Sequence, residues 1–288
     1  MRSSQKRVIK IFLLCILFII IMNQHTFLIT KIFINNITKS EIDYEAYREM
    51  KISSDIIDCN NELYDNSNPY FNDIGYITFN MLVNDYDLIN KKNKSIKLFV
   101  KSLPALTNNE KFIELYNFNK AVFLDLKCFP ILKPDYDNIN YYYENSWYAH
   151  RSYGGDRLHE GTDIFDSDDI KGNIPVVSIT DGVVENIGWL EKGGYRIGIR
   201  THSGGYFYYA HLYSYSPNLQ KGDMVIAGQL LGFMGNSGYG PEATIDMFPV
   251  HLHMGIYVDN NGEMSVNPYY ILKALENQSI KNISYMIY

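Results

Sequence analysis

Two short clusters in the second half of this 288-residue chain have the composition and spacing of a metal centre. The first is Leu158-His159-Glu160-Gly161-Thr162-Asp163, with His159 and Asp163 four positions apart. On an extended strand an even separation places both side chains on one face, and Gly161 between them leaves that face uncrowded. Imidazole nitrogen and carboxylate oxygen are both ordinary zinc ligands, at about 2.0–2.2 Å. The second cluster is Val250-His251-Leu252-His253-Met254, in which histidine alternates with apolar residues. His251 and His253 then share one face, and Val250, Leu252 and Met254 turn to the core. Two adjacent imidazoles repel one another once protonated, so their pairing needs a reason. Each cluster also has a plainer reading: a polar pair at a strand end for the first, two surface histidines for the second.

A third feature is Tyr209-Ala210-His211-Leu212, where Tyr209 and His211 alternate with small or apolar neighbours. A lone strand histidine is as compatible with a structural role as with a catalytic one. The first cluster is not H-E-x-x-H, so the helical arrangement of two histidines one turn apart does not apply. The three cysteines, Cys15, Cys59 and Cys128, contain no C-x-x-C, which excludes a thiolate zinc knuckle. Cys59 and Cys128 either pair or remain free thiols.

The elements that must hold these residues read as short strands. Ile174–Ile179, Val183–Ile187, Tyr195–Arg200, Tyr206–Leu212, Val225–Met234 and Val250–Val258 are rich in β-branched and aromatic residues, with glycine pairs between them. Asp181-Gly182 and Gly193-Gly194 read as hairpin turns. The pattern predicts a mainly β, antiparallel domain over residues 146–275, followed by a tail at 276–288. His202, before Ser203-Gly204-Gly205, reads as an exposed turn residue.

Before this domain the character differs. Arg2, Lys6, Arg7 and Lys10 precede an unbroken apolar run from Ile11 to Met22, the order of an export signal. No A-x-A-like cleavage site follows, so an uncleaved anchor over residues 1–30 is favoured over a removed signal peptide. Phe27–Ile29 extend the run past the polar patch at Asn23–Thr26. The basic residues lie on its N-terminal side, which places the remainder outside the cytoplasm, on a single-pass protein of the cell membrane. Residues 31–145 read as a mixed, partly helical accessory region or stalk, with a capacity to bind an envelope partner. Ser40–Ser54 reads as a helix capped by Ser40, and Asp73–Leu88 as another. Pro104, Pro130 and Pro134 punctuate the rest. With 46% apolar and 20% charged residues, the chain has material for a core. A net charge of −6 argues against a nucleic-acid partner.

Taken in order, these segments resemble the lysostaphin-type zinc metalloendopeptidases of bacterial cell walls. Gly154 to Ile164 is similar to that family's first ligand segment, Tyr209-Ala210-His211-Leu212 to its Tyr-x-His-Leu strand, Gly232 to Gly238 to its following turn, and His251-Leu252-His253 to its last ligand motif. The resemblance covers a little under half of the chain. It implies a duplicated-hairpin β fold that binds Zn2+ through His159, Asp163 and His253, with a fourth position open to water. It implies that His211 and His251 are the catalytic non-ligand histidines, that Tyr153 donates to the oxyanion, and that Asn236 and Tyr239 line the groove. The expected activity is hydrolysis of peptide cross-links in peptidoglycan. Some relatives keep the fold without catalysis, so an envelope scaffold is the alternative. One departure stands out: Tyr239 to Val250, with Pro241 and Pro249, is longer than the family's usual connection.

Overall fold

The computed structural model describes residues 2–57, 68–133, 139–152 and 155–278. Cys59 and Tyr153 lie outside the described residues. The chain begins with helix α1 (Arg2–Ile37). It continues helically through the polar patch after Met22. Thr26 Oγ1 donates to Met22 O (2.9 Å) and Thr30 Oγ1 to Thr26 O (2.8 Å), so these hydroxyls are satisfied by their own helix. A 33-residue stretch, Gln5–Ile37, is long and apolar enough to cross a membrane. Burial in α1 is confined to its last turns, at Thr30 and Ile34.

Five short helices follow: α2 (Tyr44–Arg48), α3 (Ser54–Ile57), α4 (Asp73–Val83), α5 (Ile96–Leu106) and α6 (Glu110–Phe123). Side chains of Asp43, Asn72, Ser95 and Asn109 accept from the first-turn amides of α2, α4, α5 and α6. The expected cap at Ser40 is thus replaced by Asp43, because α1 extends to Ile37. Pro104 does not break the chain. It sits in the last turn of α5, where only one carbonyl, four residues back, loses its amide partner.

The remainder is a ten-stranded antiparallel sheet with a separate two-stranded ribbon. Its strands are β1 (Tyr141–Tyr142), β4 (Thr162–Asp166), β5 (Pro175–Val177), β6 (Gly182–Leu190), β7 (Gly194–Arg200), β8 (Tyr206–Tyr215), β9 (Met224–Val225), β10 (Leu230–Met234), β11 (His251–Asp259) and β12 (Glu263–Val266). The main order is β1-β4-β11-β8-β7-β6-β9. The ribbon is β2 (His150–Arg151) with β3 (Arg157–Leu158). Helix α7 (Tyr269–Leu275) closes the fold. The Gly193-Gly194 hairpin forms between β6 and β7. Asp181-Gly182 does not turn a hairpin: β5 pairs with β10, and β6 pairs with β7 and β9. The expected strand Val225–Met234 is split in two. The chain joins the sheet before residue 146, through β1 and through bridges Leu126–Thr180 and Ile131–Val176.

Helix α6 packs against β11. Apolar side chains of the helices, including Tyr47, Phe79, Phe99 and Phe112, join Ile164, Phe207, Leu252 and Met254 in one buried cluster. That cluster fixes the strand that carries both histidines of the His-x-His motif.

Candidate metal centre

β4 and β11 are register partners, with His253 directly opposite Asp163 and Leu252 opposite Ile164. Alternation sends Val250, Leu252 and Met254 into the core, each at most 1% exposed. His251 and His253 therefore emerge on the other face, where Asp163 also points. His253 Nδ1 lies 2.9 Å from Asp163 Oδ1. His159 arrives differently. It follows β3 rather than sharing a strand with Asp163, because the chain turns at Glu160-Gly161 between β3 and β4. Its Nε2 is 3.0 Å from Asp163 Oδ1 and 3.1 Å from His253 Nδ1. Gly161 is required at this turn: a Cβ there would stand 2.7 Å from His253 Nε2 and 2.9 Å from Met254 O.

These three atoms form a group able to hold a metal ion. The donor chemistry fits one. His159 Nδ1 faces Ser146 O at 3.1 Å; a carbonyl only accepts, so Nδ1 carries the proton. Nε2 is then a lone pair turned toward a carboxylate oxygen, an arrangement that a shared cation makes favourable. Edges of about 3.3 Å are expected around an ion with bonds of 2.0–2.1 Å in a tetrahedral site, close to the spacing here. Burial alone would push the Asp163 carboxyl up. Where the imidazoles carry their protons toward it instead, donation from His159 and His253 and the nearby imidazole of His251 outweigh burial and hold the group well below the usual carboxylate range. Its second oxygen accepts from Arg151 Nη2 at 2.7 Å.

His211 and His251 stand beside this trio, their rings 4.7 Å apart. Each is tied through Nδ1 to a backbone carbonyl, Ser237 O for His211 and Pro249 O for His251, both at 2.8 Å. Nε2 is left as the basic nitrogen in each ring. Burial is the main cause that pushes both imidazoles down, His211 well below its ordinary value, and neighbouring histidines add to it. Both are therefore neutral bases at neutral pH.

His211 reaches this face by an irregularity. Regular alternation would align it with Tyr209, which is fully buried and whose hydroxyl accepts from Ile179 N–H at 2.9 Å. Instead the β7–β8 register slips between Tyr195–Leu212 and Ile197–Tyr209, and His211 takes a φ of 63°. The bulge turns His211 into the cleft beside Tyr208 and Ala210. Tyr209 and His211 thus point to different sides of the sheet. Gly194, at φ 62°, lets Ser237 O approach the hairpin closely; a side chain there would collide with it.

The cleft has a volume of about 480 Å³. The long connection before β11 forms one wall, with Phe248 packed 4.7 Å from the His211 ring and 5.1 Å from His251. Tyr239 lines the cleft, and Arg157 donates to its hydroxyl. Asn236 does not line it: the residue is buried and its amide donates to Asp246 at 3.1 Å. Arg151, Arg157, Lys192 and Phe248 escaped sequence reasoning. The two arginines both precede His159 and face each other across the ribbon, a signal that shows only once β2 and β3 are seen to pair.

The sequence profile described as Peptidase family M23 matches residues 157–268, which contain the whole trio and both further histidines. A crystal structure of LytM from Ruminococcus gnavus is 41% identical, covers 83% of this chain and 94% of its own, and superposes with a TM-score of 0.69. The chain belongs to peptidase family M23. Among curated relatives, the protein named L-Ala–D-Glu endopeptidase of Bacillus subtilis is 41% identical over 168 residues, 58% of this chain and 49% of its own length. Lysostaphin of Staphylococcus simulans is 36% identical over 84 residues, 28% of this chain and 16% of its own. The chain thus spans about half, or less, of these relatives.

Proposed function

We propose that this M23 protein is a membrane-anchored zinc endopeptidase that cuts peptides of the bacterial cell wall. The observation that carries the reading is the convergence of His159 Nε2, Asp163 Oδ1 and His253 Nδ1 beside two neutral histidines. These three residues would hold zinc. Zinc supplies Lewis acidity, which polarises a peptide carbonyl and makes water a competent nucleophile near neutral pH. His251 Nε2, 3.8 Å from Asp163 Oδ1, stands nearest the trio and takes up the proton of the attacking water. Repulsion between the adjacent rings keeps His211 neutral while His251 is charged. The proton then passes to the departing amine. The carbonyls of Ser237 and Pro249 fix both tautomers and ring planes. Phe248 shields the pair from bulk water.

The cleft wall favours one substrate chemistry. Arg151, Arg157 and Lys192 line it, and Asp163 is the one carboxylate among its described lining residues. A peptide bearing a carboxylate next to the scissile bond, as in an acidic stem peptide, suits this wall better than an uncharged glycine bridge. The Bacillus subtilis relative's name points the same way, whereas the Ruminococcus gnavus structure is named a glycyl-glycine endopeptidase, so the cleft wall and not the names carries this preference. In this reading residues 1–30 form the cytoplasmic tip and span, 31–145 the accessory region, and 146–275 the catalytic domain outside the membrane.

Metal analysis with digestion of intact cross-linked wall tests the proposal. About one zinc per chain, chelator-sensitive hydrolysis, and faster turnover of an acidic stem peptide than of oligoglycine are expected. Full activity of metal-free protein would overturn the zinc reading. A metal-bound protein that leaves wall and peptides intact would instead mark it as a scaffold.

A further inference from the structure

A second functional surface lies away from the cleft. From Leu88 to Asn109 the chain holds five lysines, at 91, 92, 94, 97 and 101, and no Asp or Glu, although the whole protein carries a net charge of −6. Lys91 pairs with Asp85 at 2.6 Å, while Lys92, Lys97 and Lys101 are exposed. Helix α5 buries Phe99, Ser102, Leu103 and Leu106. Its opposite face presents Lys97 and Lys101, with Ile96 and Val100, 44% and 43% exposed, on the flank between them and the buried face, and Ile89 stands exposed in the loop before it. Spacing of four aligns Ile96 with Val100 on one ridge and Lys97 with Lys101 on the next. An apolar ridge beside a ridge of exposed lysines is the composition of the outer face of an interfacial helix.

The position of this face suggests what covers it. Helix α5 packs against α1. In α1, burial is confined to Thr30 and Ile34, with Phe33 and Ile37 packed alongside, and the side chains from Ile11 to Ile21 are exposed and apolar. Helix α5 therefore sits where the apolar run leaves the folded body.

We infer that the outer face of α5 and the loop before it dock on the anionic lipid headgroups of the membrane that α1 enters. Lysines contact headgroup phosphates, and Ile89, Ile96 and Val100 reach the acyl boundary. This contact adds a second attachment point, so the body cannot swing freely about α1 and the cleft is held at a set height above the bilayer. The inference rests on the membrane-anchored reading of the protein.

The test uses the full chain, with a photo-cross-linking amino acid at Val100, in vesicles of phosphatidylcholine with or without phosphatidylglycerol. A lipid adduct at position 100 is expected with phosphatidylglycerol. The triple variant K92E/K97E/K101E should reduce it by on the order of tenfold, with hydrolysis of a soluble peptide unchanged. Resistance to alkaline extraction reports α1 separately. Protein that is extracted overturns both the anchor and this inference. Protein that resists extraction but gives adducts indifferent to lipid charge and to the triple variant overturns the inference alone. Adducts to soluble polyglycerol phosphate that the triple variant abolishes, with lipid adducts equal in the two kinds of vesicle, would assign the lysines to an anionic polymer and overturn the lipid contact.

Discussion

The two halves of the candidate metal centre are held by different means. Asp163 and His253 are cross-strand partners in the middle of the sheet, so backbone hydrogen bonds on both sides of β11 fix their separation. His159 sits in a turn and depends on the segment before it. Its Nδ1 donates to Ser146 O, its N–H to Ala149 O at 3.0 Å, and its carbonyl accepts from Tyr148 N–H at 2.8 Å. That segment is gripped by α2, more than one hundred residues upstream of His159. Arg48 lies over the rings of Trp147 and Tyr148, donates to Glu160 at 2.8 Å and to Ser265 Oγ at 2.7 Å, and Tyr148 OH donates to Glu45 at 3.0 Å. One half of the site is therefore built by sheet register, and the other by a clamp from the helical region. A strand pair keeps its geometry through many shared bonds, whereas a turn keeps it only as well as its supports do.

Substitutions that separate these roles test the contrast. His253→Ala removes a proposed ligand from the rigid half. Metal affinity and hydrolysis should fall together, by more than the roughly 10–100-fold typical of losing an outer partner. His211→Ala removes no member of the trio. Zinc content, measured by metal analysis, should stay near the parent level while turnover drops by roughly 10²–10⁴-fold. Equal loss of zinc in both variants would show that the assignment of roles is wrong.

Arg48→Ala weakens the clamped half alone. Metal dissociation, followed with a chromogenic chelator, should quicken by up to about tenfold, while turnover per bound zinc stays near the parent value. Arg48→Lys should not restore it fully, because an ammonium cannot stack on both rings and bridge Glu160 and Ser265 together. A dissociation rate equal to that of the parent would reduce the clamp to a domain contact with no bearing on the metal.

The smallest expected effect is on pH dependence. His211 and His251 have folded pKa values below their unfolded ones, mainly through burial. As pH falls through about 6.5, the unfolded chain takes up protons that these buried rings refuse. Stability is therefore full above that range and decreases below it. The acid limb of kcat/KM should fall below the ordinary imidazole value, because both bases stay neutral there. His211→Ala should flatten the acid loss of Tm in thermal melts. An acid limb above about 6.5 would contradict the neutral-base geometry.

Local pattern determined a good part of this protein. Alternation in Val250–Met254 decided which histidines face out, since neighbouring strand residues must point to opposite sides. The missing side chain at Gly161 marked the place where an imidazole comes close. The apolar run after Lys10 announced a helix that the body does not bury. Tertiary structure decided what alternation cannot express. The bulge at Ala210–His211 reverses the face that simple counting assigns to His211, because a slipped register depends on the strands alongside. Asn236 turned inward to Asp246, and Phe248 took the place on the cleft wall, because the long connection folds back over β11. Helix α5 tolerates Pro104 in its last turn because the apolar ridge opposite its lysines is buried. The grip of Arg48 on Glu160 spans 112 positions, and no local rule links residues so far apart: only a shared core brings them together.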